Sequence, residues 1–293
     1  MAQHSEPDSP VTSSPLSPAM TSTSAKAFLN QSDFEHHILK TIHNASEPQI
    51  LVFTDIKPSW GQQVVDLINE TDDGCSTRKT YDSLMKVLRI KVMPTEVHDC
   101  CQDWWRLSEI RLRENGDLTG DEQAQVKIRV GTTLQFVGGP YRSSRKEPDL
   151  FVRSSHDRLP SFVMESGWSE SWSELLDDMN LLLVGGDGDI RAVAILKWDL
   201  NRQTSVVRGF VELYVRDRQG MPVRRQREEI FPAPRAPTAP QRLELTRQEV
   251  FGPFLSPDPG RTQPPNDTVY LELDTLRTVA SEALARMNLL PAF

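Results

Sequence analysis

Two acidic residues, Asp149 and Glu165, are placed where they could hold one divalent cation between them. Each lies beside a short apolar stretch, and the polar residues 154–158 separate the two stretches. Carboxylates on strand positions roughly 5 Å apart repel each other unless one is protonated or a cation lies between them. Mg²⁺ (or Mn²⁺) would resolve that repulsion, because such an ion binds oxygen ligands and keeps positions free for water and phosphate. The pair therefore predicts a metal site that could polarise a phosphate. The alternative is that both acids are ordinary strand-end residues held by arginines.

The stretches that carry the two acids have the composition of short strands. Residues 148–153 and 160–167 are apolar, and the polar loop between them predicts an antiparallel hairpin. If the pairing centres on Asp157, Asp149 lies opposite Glu165, and both side chains emerge on the same face. A shift of the register by one residue would place one acid on the wrong face.

A helix and a third strand should follow the second acid. Ser171 and Glu174 match a capping box, which predicts a helix from Trp172 to about Val184. Residues 190–198 then have strand composition. Strand, helix and strand form a crossover unit with two parallel strands.

This arrangement resembles the PD-(D/E)XK nuclease superfamily over about residues 80–215. The segments Lys-Glu-Pro-Asp, ending at Asp149, and Glu-Ser-Gly-Trp, beginning at Glu165, are similar to nuclease-like proteins of filamentous fungi. The resemblance implies an α/β fold with a restriction-endonuclease-like core, in which helices flank a mixed central sheet. It also implies Mg²⁺-dependent hydrolysis of phosphodiester bonds in DNA or RNA, with Asp149 and Glu165 as metal ligands.

The chain departs from the family motif at one catalytic position. The family has a lysine two residues after the second acid, but this chain has Gly167, which cannot supply charge. Lys197, on the predicted parallel neighbour, is the substitute that the resemblance suggests for stabilising charge, although it could be a solvated lysine at a strand end. The alternative function is a catalytically inactive nuclease-like scaffold that acts as a protein-interaction or nucleic-acid-binding module.

Basic residues surround the first acid and could hold a phosphate backbone. The alternative is that they only increase solubility, and a net charge of −8 argues against a strongly basic, nonspecific nucleic-acid binder. The candidates for substrate phosphate are Arg142, Arg145 and Lys146, with Arg153 and Arg158 nearby.

The helix predicted after Thr95 should be the first helix of the core. Its apolar stripe includes two cysteines and a tryptophan, which favours packing over a metal site at His98. In some members of the family an acid on this helix also reaches the metal. Glu96 and Glu109 are the candidates, with solvated side chains as the alternative. Residues 126–137 should form the strand that opens the sheet.

Composition sets the expected domain plan. Residues 1–25 are rich in Ser, Pro and Thr and predict a disordered tail without a secretion signal. Residues 26–230 should form the nuclease-like domain, and residues 231–293 should add proline-rich loops and a helix over 275–288 packed on the core. The sequence has no apolar run long enough for a membrane helix, and its three cysteines suggest no disulfide framework. These features predict an intracellular protein, cytoplasmic or nuclear, of unknown oligomeric state.

Overall fold

The computed structural model describes residues 19–71, 75–168, 170–235, 240–253 and 268–293. Residues 1–18 of the predicted tail lie outside these ranges. Residues 19–24 instead form a strand that pairs in parallel with a second strand, so the predicted tail extends too far. Residues 236–239 and 254–267, which cover much of the two predicted proline-rich loops, also lie outside the description.

A six-stranded sheet forms the first part of the chain, with strand order β1-β2-β4-β3-β7-β6. Its two helices pack on it through a separate apolar cluster that includes Phe34, Ile38 and Val64. The elements are β1 (Ala19–Ser24), α1 (Gln31–His43), β2 (Gln49–Thr54), α2 (Pro58–Glu70), β3 (Thr77–Asp82) and β4 (Val87–Val92), joined later in the chain by β6 (Leu134–Gln135) and β7 (Arg145–Lys146).

A mixed seven-stranded sheet forms the second part, with β12-β11-β10-β9-β8-β5 as its main path. The strands β8 and β9 are antiparallel, β9 and β10 are parallel, and α5 connects the parallel pair. The predicted crossover unit is thus present. The elements are α3 (Glu96–Glu114), α4 (Gly120–Gln125), β5 (Val126–Arg129), β8 (Leu150–Ser154), β9 (Phe162–Gly167), α5 (Trp172–Gly185), β10 (Ala192–Asn201), β11 (Val206–Arg216) and β12 (Pro222–Phe231).

The helix α5 begins where its capping box predicts. The side chain of Ser171 accepts a hydrogen bond from the backbone of Glu174, and the carboxylate of Glu174 accepts one from the backbone of Ser171. These two bonds satisfy donors that the first turn of a helix would otherwise leave without partners. The crossover helix is therefore encoded locally.

The predicted strand over residues 126–137 is wrong beyond Arg129. Gly131 has a φ of +65°, a conformation that interrupts a strand and that glycine adopts without strain. The chain then leaves the seven-stranded sheet and enters the six-stranded one at β6. It returns through β7, and residues 147–149 link the two sheets just before β8.

The C-terminal elements cover one face of the seven-stranded sheet. The predicted C-terminal helix is confirmed as α7, which shares an apolar cluster with α3 and the sheet. Of the helices in the described ranges, none is both long and apolar enough to cross a bilayer. The elements are β13 (Arg242–Thr246), α6 (Arg247–Phe251), β14 (Thr268–Glu272), α7 (Leu273–Arg286) and β15 (Leu290–Pro291).

Candidate functional site

The two acids lie directly opposite each other, as the predicted register requires. Leu150 pairs with Met164 across the antiparallel strands β8 and β9, and one residue further along, Asp149 is opposite Glu165. By the alternation of strand side chains, both acids share the face of Phe151, which packs beneath α5. Both carboxylates are completely buried.

Asp149 is held by groups from three elements. Its Oδ2 accepts a hydrogen bond of 2.7 Å from the backbone N–H of Ser166, while its Oδ1 lies 3.2 Å from Nε2 of His98 on α3. The ammonium of Lys91, on β4, lies 3.4 Å from Oδ2. The carboxylate of Asp149 thus has a backbone donor and two basic side chains around it.

The side chain of Glu165 contacts Lys146. The Lys146 ammonium donates to Glu165 Oε2 at 2.9 Å, to Asp178 Oδ2 on α5 at 2.8 Å and to Thr80 Oγ1 at 3.2 Å. These three contacts use all three N–H donors of the ammonium. Lys146 was predicted to contact a substrate phosphate at the surface, but its side chain is 1% exposed.

Two further ion pairs complete a buried charge network. Lys91 also pairs with Glu170 Oε1 at 2.5 Å, and Arg89 on β4 pairs with Asp178. Four acidic and four basic side chains therefore meet in this network, and three of the basic ones come from the six-stranded sheet. The members of the buried charge network are Arg89, Lys91, His98, Lys146, Asp149, Glu165, Glu170 and Asp178.

The two opposed acids differ in their affinity for protons. Burial alone would raise the pKa of Asp149, but the nearby charges of His98 and Lys91 outweigh it and hold the pKa below its ordinary value of 3.8. Burial raises the pKa of Glu165 from 4.5 to about 8, and Lys146 offsets only part of this rise. At neutral pH Asp149 is therefore ionised, whereas Glu165 is largely protonated.

His98 is the charged partner that fits this arrangement. Burial alone would lower the pKa of His98, but the Asp149 carboxylate raises it from 6.5 to about 9. The imidazole is then protonated at neutral pH, so its second nitrogen also donates, to Asp99 at 3.1 Å.

The structure explains why no lysine follows the second acid. A Cβ atom on Gly167 would lie 2.4 Å from Cδ1 of Leu175, because α5 packs directly against this end of β9. A side chain at this position would need Leu175 to move. Glycine avoids this contact with the Leu175 side chain.

The proposed substitute, Lys197, is not part of the network. Its ammonium donates to the backbone carbonyl of Trp198 at 2.7 Å and pairs with Asp199 at 3.1 Å. Neither Asp149 nor Glu165 is among its ion-pair partners. Lys146, from the neighbouring sheet, places a positive charge beside Glu165 instead.

The predicted phosphate-binding arginines are not brought together at the acids. Arg142 is exposed, and Arg145 lies on β7 beside Lys146. Arg153 donates a hydrogen bond to the backbone carbonyl of Arg158, and the side chain of Arg158 donates one to the backbone carbonyl of Gln135. None of these four arginines forms an ion pair with Asp149 or Glu165.

The acids proposed on the first core helix do not reach the pair either. Glu96 pairs with Arg286 at 2.8 Å, and Glu109 accepts a hydrogen bond from Gln123. His98 of the same helix reaches Asp149 instead, while the neighbouring Cys100 and Cys101 are buried as predicted.

Two members of the network that were missed carry a signal in the sequence. Asp178 lies three residues after Leu175 and four before Leu182, so it is a charged residue on the buried stripe of α5. Lys91 lies between the buried residues Ile90 and Val92 on β4. A charge on an apolar stripe predicts a buried partner, but it does not identify that partner.

The fit of a metal ion can be judged from the same atoms. Oε1 of Glu165 is buried without a hydrogen-bond partner, and such an acceptor would suit a cation. However, a carboxylate loses its proton when it binds a metal, so an ion at Glu165 would have to overcome the raised pKa of this buried acid. Lys91 and Lys146 already contact the two acids, and within the described ranges no group of three or more His, Cys, Asp or Glu residues could hold a metal. As arranged, these residues do not fit a shared Mg²⁺.

The chain matches none of the models of known protein families, and no curated protein matches it at a significant level. Its function must therefore be inferred from the geometry of its own residues.

Proposed function

We propose that this chain is a non-catalytic, nuclease-like scaffold that works as an interaction module. The order α3, β5, β8, β9, α5, β10 supports the nuclease-like part, because it contains the parallel strand pair with its crossover helix and the opposed acids that the resemblance implies. The observation that carries the non-catalytic part is the complete burial of Asp149 and Glu165 among basic side chains from the six-stranded sheet.

Access argues against hydrolysis in this arrangement. A scissile phosphate must come within reach of the groups that act on it. The pocket that borders the network, lined in part by Lys91, His98 and Glu170, has a volume of about 20 Å³. That volume holds about one water molecule and excludes a phosphodiester.

In this proposal the former catalytic face holds the two sheets together. Arg89, Lys91 and Lys146 belong to the six-stranded sheet, and their acidic partners belong to the seven-stranded sheet and to the segment around α5. Removing one member of a buried ion pair leaves an uncompensated charge and is strongly destabilising. The network thus favours one packing of the two sheets. A surface that binds a partner requires such a fixed packing.

The experiment combines a cleavage assay with calorimetry. The full chain is incubated with labelled single- and double-stranded DNA and RNA in Mg²⁺ or Mn²⁺, and binding of each metal is measured separately. We expect no cleavage above the level of the Asp149→Ala variant and no metal binding that depends on Glu165. Asp199→Asn is the matched control, because this exposed acid pairs with Lys197, outside the network. Cleavage by the wild type and the control, lost in Asp149→Ala and Glu165→Ala, would overturn the proposal.

A second candidate is a Mg²⁺-dependent nuclease that acts on DNA or RNA. Its support is the opposed register of the two acids and the unpartnered Oε1 of Glu165. It requires Lys91 and Lys146 to withdraw, so that the pair becomes ionised and accessible. The cleavage assay separates the two candidates, since only the nuclease loses an activity when either acid is replaced.

A further inference from the structure

A second concave site lies at the end of the seven-stranded sheet where β10 begins and β11 ends. This cleft has a volume of about 670 Å³ and is lined by three arginines, Arg191, Arg216 and Arg218, together with Thr246 and Gln248. It shares no residue with the buried charge network, so binding in this cleft is independent of the proposed function.

The three arginines have no carboxylate partner among the described residues. Each lacks an ion pair, whereas Arg225 and Arg227 on the nearby β12 are both paired with glutamates. The charge of Arg191 favours the ionised form of Asp157, but the two side chains form no ion pair. Three arginines therefore line one cleft without forming an ion pair.

The acids that line the cleft are already engaged. The carboxylate of Asp217 accepts hydrogen bonds from the backbone N–H groups of Gln219 and Met221, within the turn between β11 and β12. Glu249 accepts hydrogen bonds from Arg225. Both acids thus have hydrogen-bond partners other than the three arginines of the cleft.

Arg216 is held in place by two glycine turns. Its Nε donates to the carbonyl of Gly220 at 3.0 Å. A Cβ atom on Gly220 would lie 2.7 Å from Nη2 of Arg216, and one on Gly188 would lie 3.0 Å from Nη1. Both glycines have positive φ, so the chain bends closely around the guanidinium. A guanidinium fixed in this way loses less side-chain entropy when it binds a ligand.

We propose that this cleft binds the phosphate group of a small molecule. Guanidinium groups form paired, charge-assisted hydrogen bonds with phosphate oxygens, and several of them converging favour a dianion over a single carboxylate. The cleft volume lies within the roughly 300–1,000 Å³ of small-molecule sites. Thr246 and Gln248 supply neutral donors at its wall.

The test is calorimetric titration of the full chain with inorganic phosphate, with glycerol phosphate as a monoester and with acetate as a single carboxylate. We expect phosphate or the monoester to bind more tightly than acetate. Arg218→Glu should weaken that binding at least about tenfold, because it replaces a charge-assisted contact with repulsion. Arg216→Gln should weaken it as well.

Two controls make the outcome decisive. Arg218 is exposed, so its replacement leaves the fold intact, and thermal denaturation verifies this for both variants. Arg202→Ala, at an exposed arginine outside the cleft, should bind like the wild type. Absence of binding by both phosphate probes, equal binding by Arg218→Glu, or tighter binding of acetate would overturn the proposal.

Discussion

Asp149 and Glu165 carry the same chemical group but hold different charges. Asp149 is surrounded by a backbone donor, an imidazolium and an ammonium, whereas Glu165 meets one ammonium that it shares with Asp178. Burial therefore raises the pKa of Glu165, whereas nearby positive charges lower the pKa of Asp149. The difference follows from the number of cationic partners at each carboxylate.

This difference predicts unequal effects of two neutralising substitutions. Asp149→Asn should destabilise the fold by about 3–5 kcal/mol at pH 7, because it removes the buried carboxylate that His98 and Lys91 share. Glu165→Gln should cost about 1 kcal/mol, since a neutral amide resembles the protonated acid. Urea denaturation measures both values.

Asp199→Asn is again the control, because Asp199 is exposed and its replacement should cost less than about 1 kcal/mol. Equal losses for Asp149→Asn and Glu165→Gln would contradict the different protonation states.

At the scale of elements, the start of α5 limits the space beside the end of β9. The capping box specifies where α5 begins, and Leu175 of its first turn then lies against Gly167. A larger residue at position 167 requires the Leu175 side chain to move.

Gly167→Ala should therefore destabilise the fold by about 1–3 kcal/mol through overpacking against Leu175. Thermal or urea denaturation measures the loss. Gly138→Ala is the control, because nothing lies within 4 Å of a Cβ at that position. Combining Gly167→Ala with Leu175→Val should recover part of the loss. A Gly167→Ala variant as stable as the Gly138→Ala control would show that the helix can move away from the strand.

At the scale of the whole molecule, the network makes the joining of the two sheets dependent on pH. The folded chain holds one extra proton on Glu165 between about pH 4.5 and 8 and one on His98 between about pH 6.5 and 9. In both windows the folded state binds more protons than the unfolded state, so stability falls as pH rises.

We therefore expect the free energy of unfolding to decrease between about pH 6.5 and 8, where both windows overlap. Each extra proton contributes a slope of roughly 1.4 kcal/mol per pH unit. Urea denaturation at successive pH values measures the slope. Glu165→Gln removes one of the two extra protons, so it should reduce the slope by roughly 1.4 kcal/mol per pH unit. A stability that rises through this range would refute the assignment of both protons.

The sequence alone determined the local structure around the candidate site. The capping box predicted α5, alternation and the loop at 154–158 predicted the pairing of β8 with β9, and the register placed Asp149 opposite Glu165. These signals act between residues close in the chain, where hydrogen bonds, side-chain alternation and turn preferences decide the conformation. The strand predicted over residues 126–137 was wrong near Gly131, where the chain passes from one sheet to the other.

Only the tertiary structure decided what the two acids contact. Lys91 lies 58 residues before Asp149, and Arg89 lies 89 residues before Asp178. No local pattern links such residues, because their contact depends on how the two sheets pack. The sequence placed the carboxylates opposite each other, and the packing of the second sheet supplied the basic groups that now surround them.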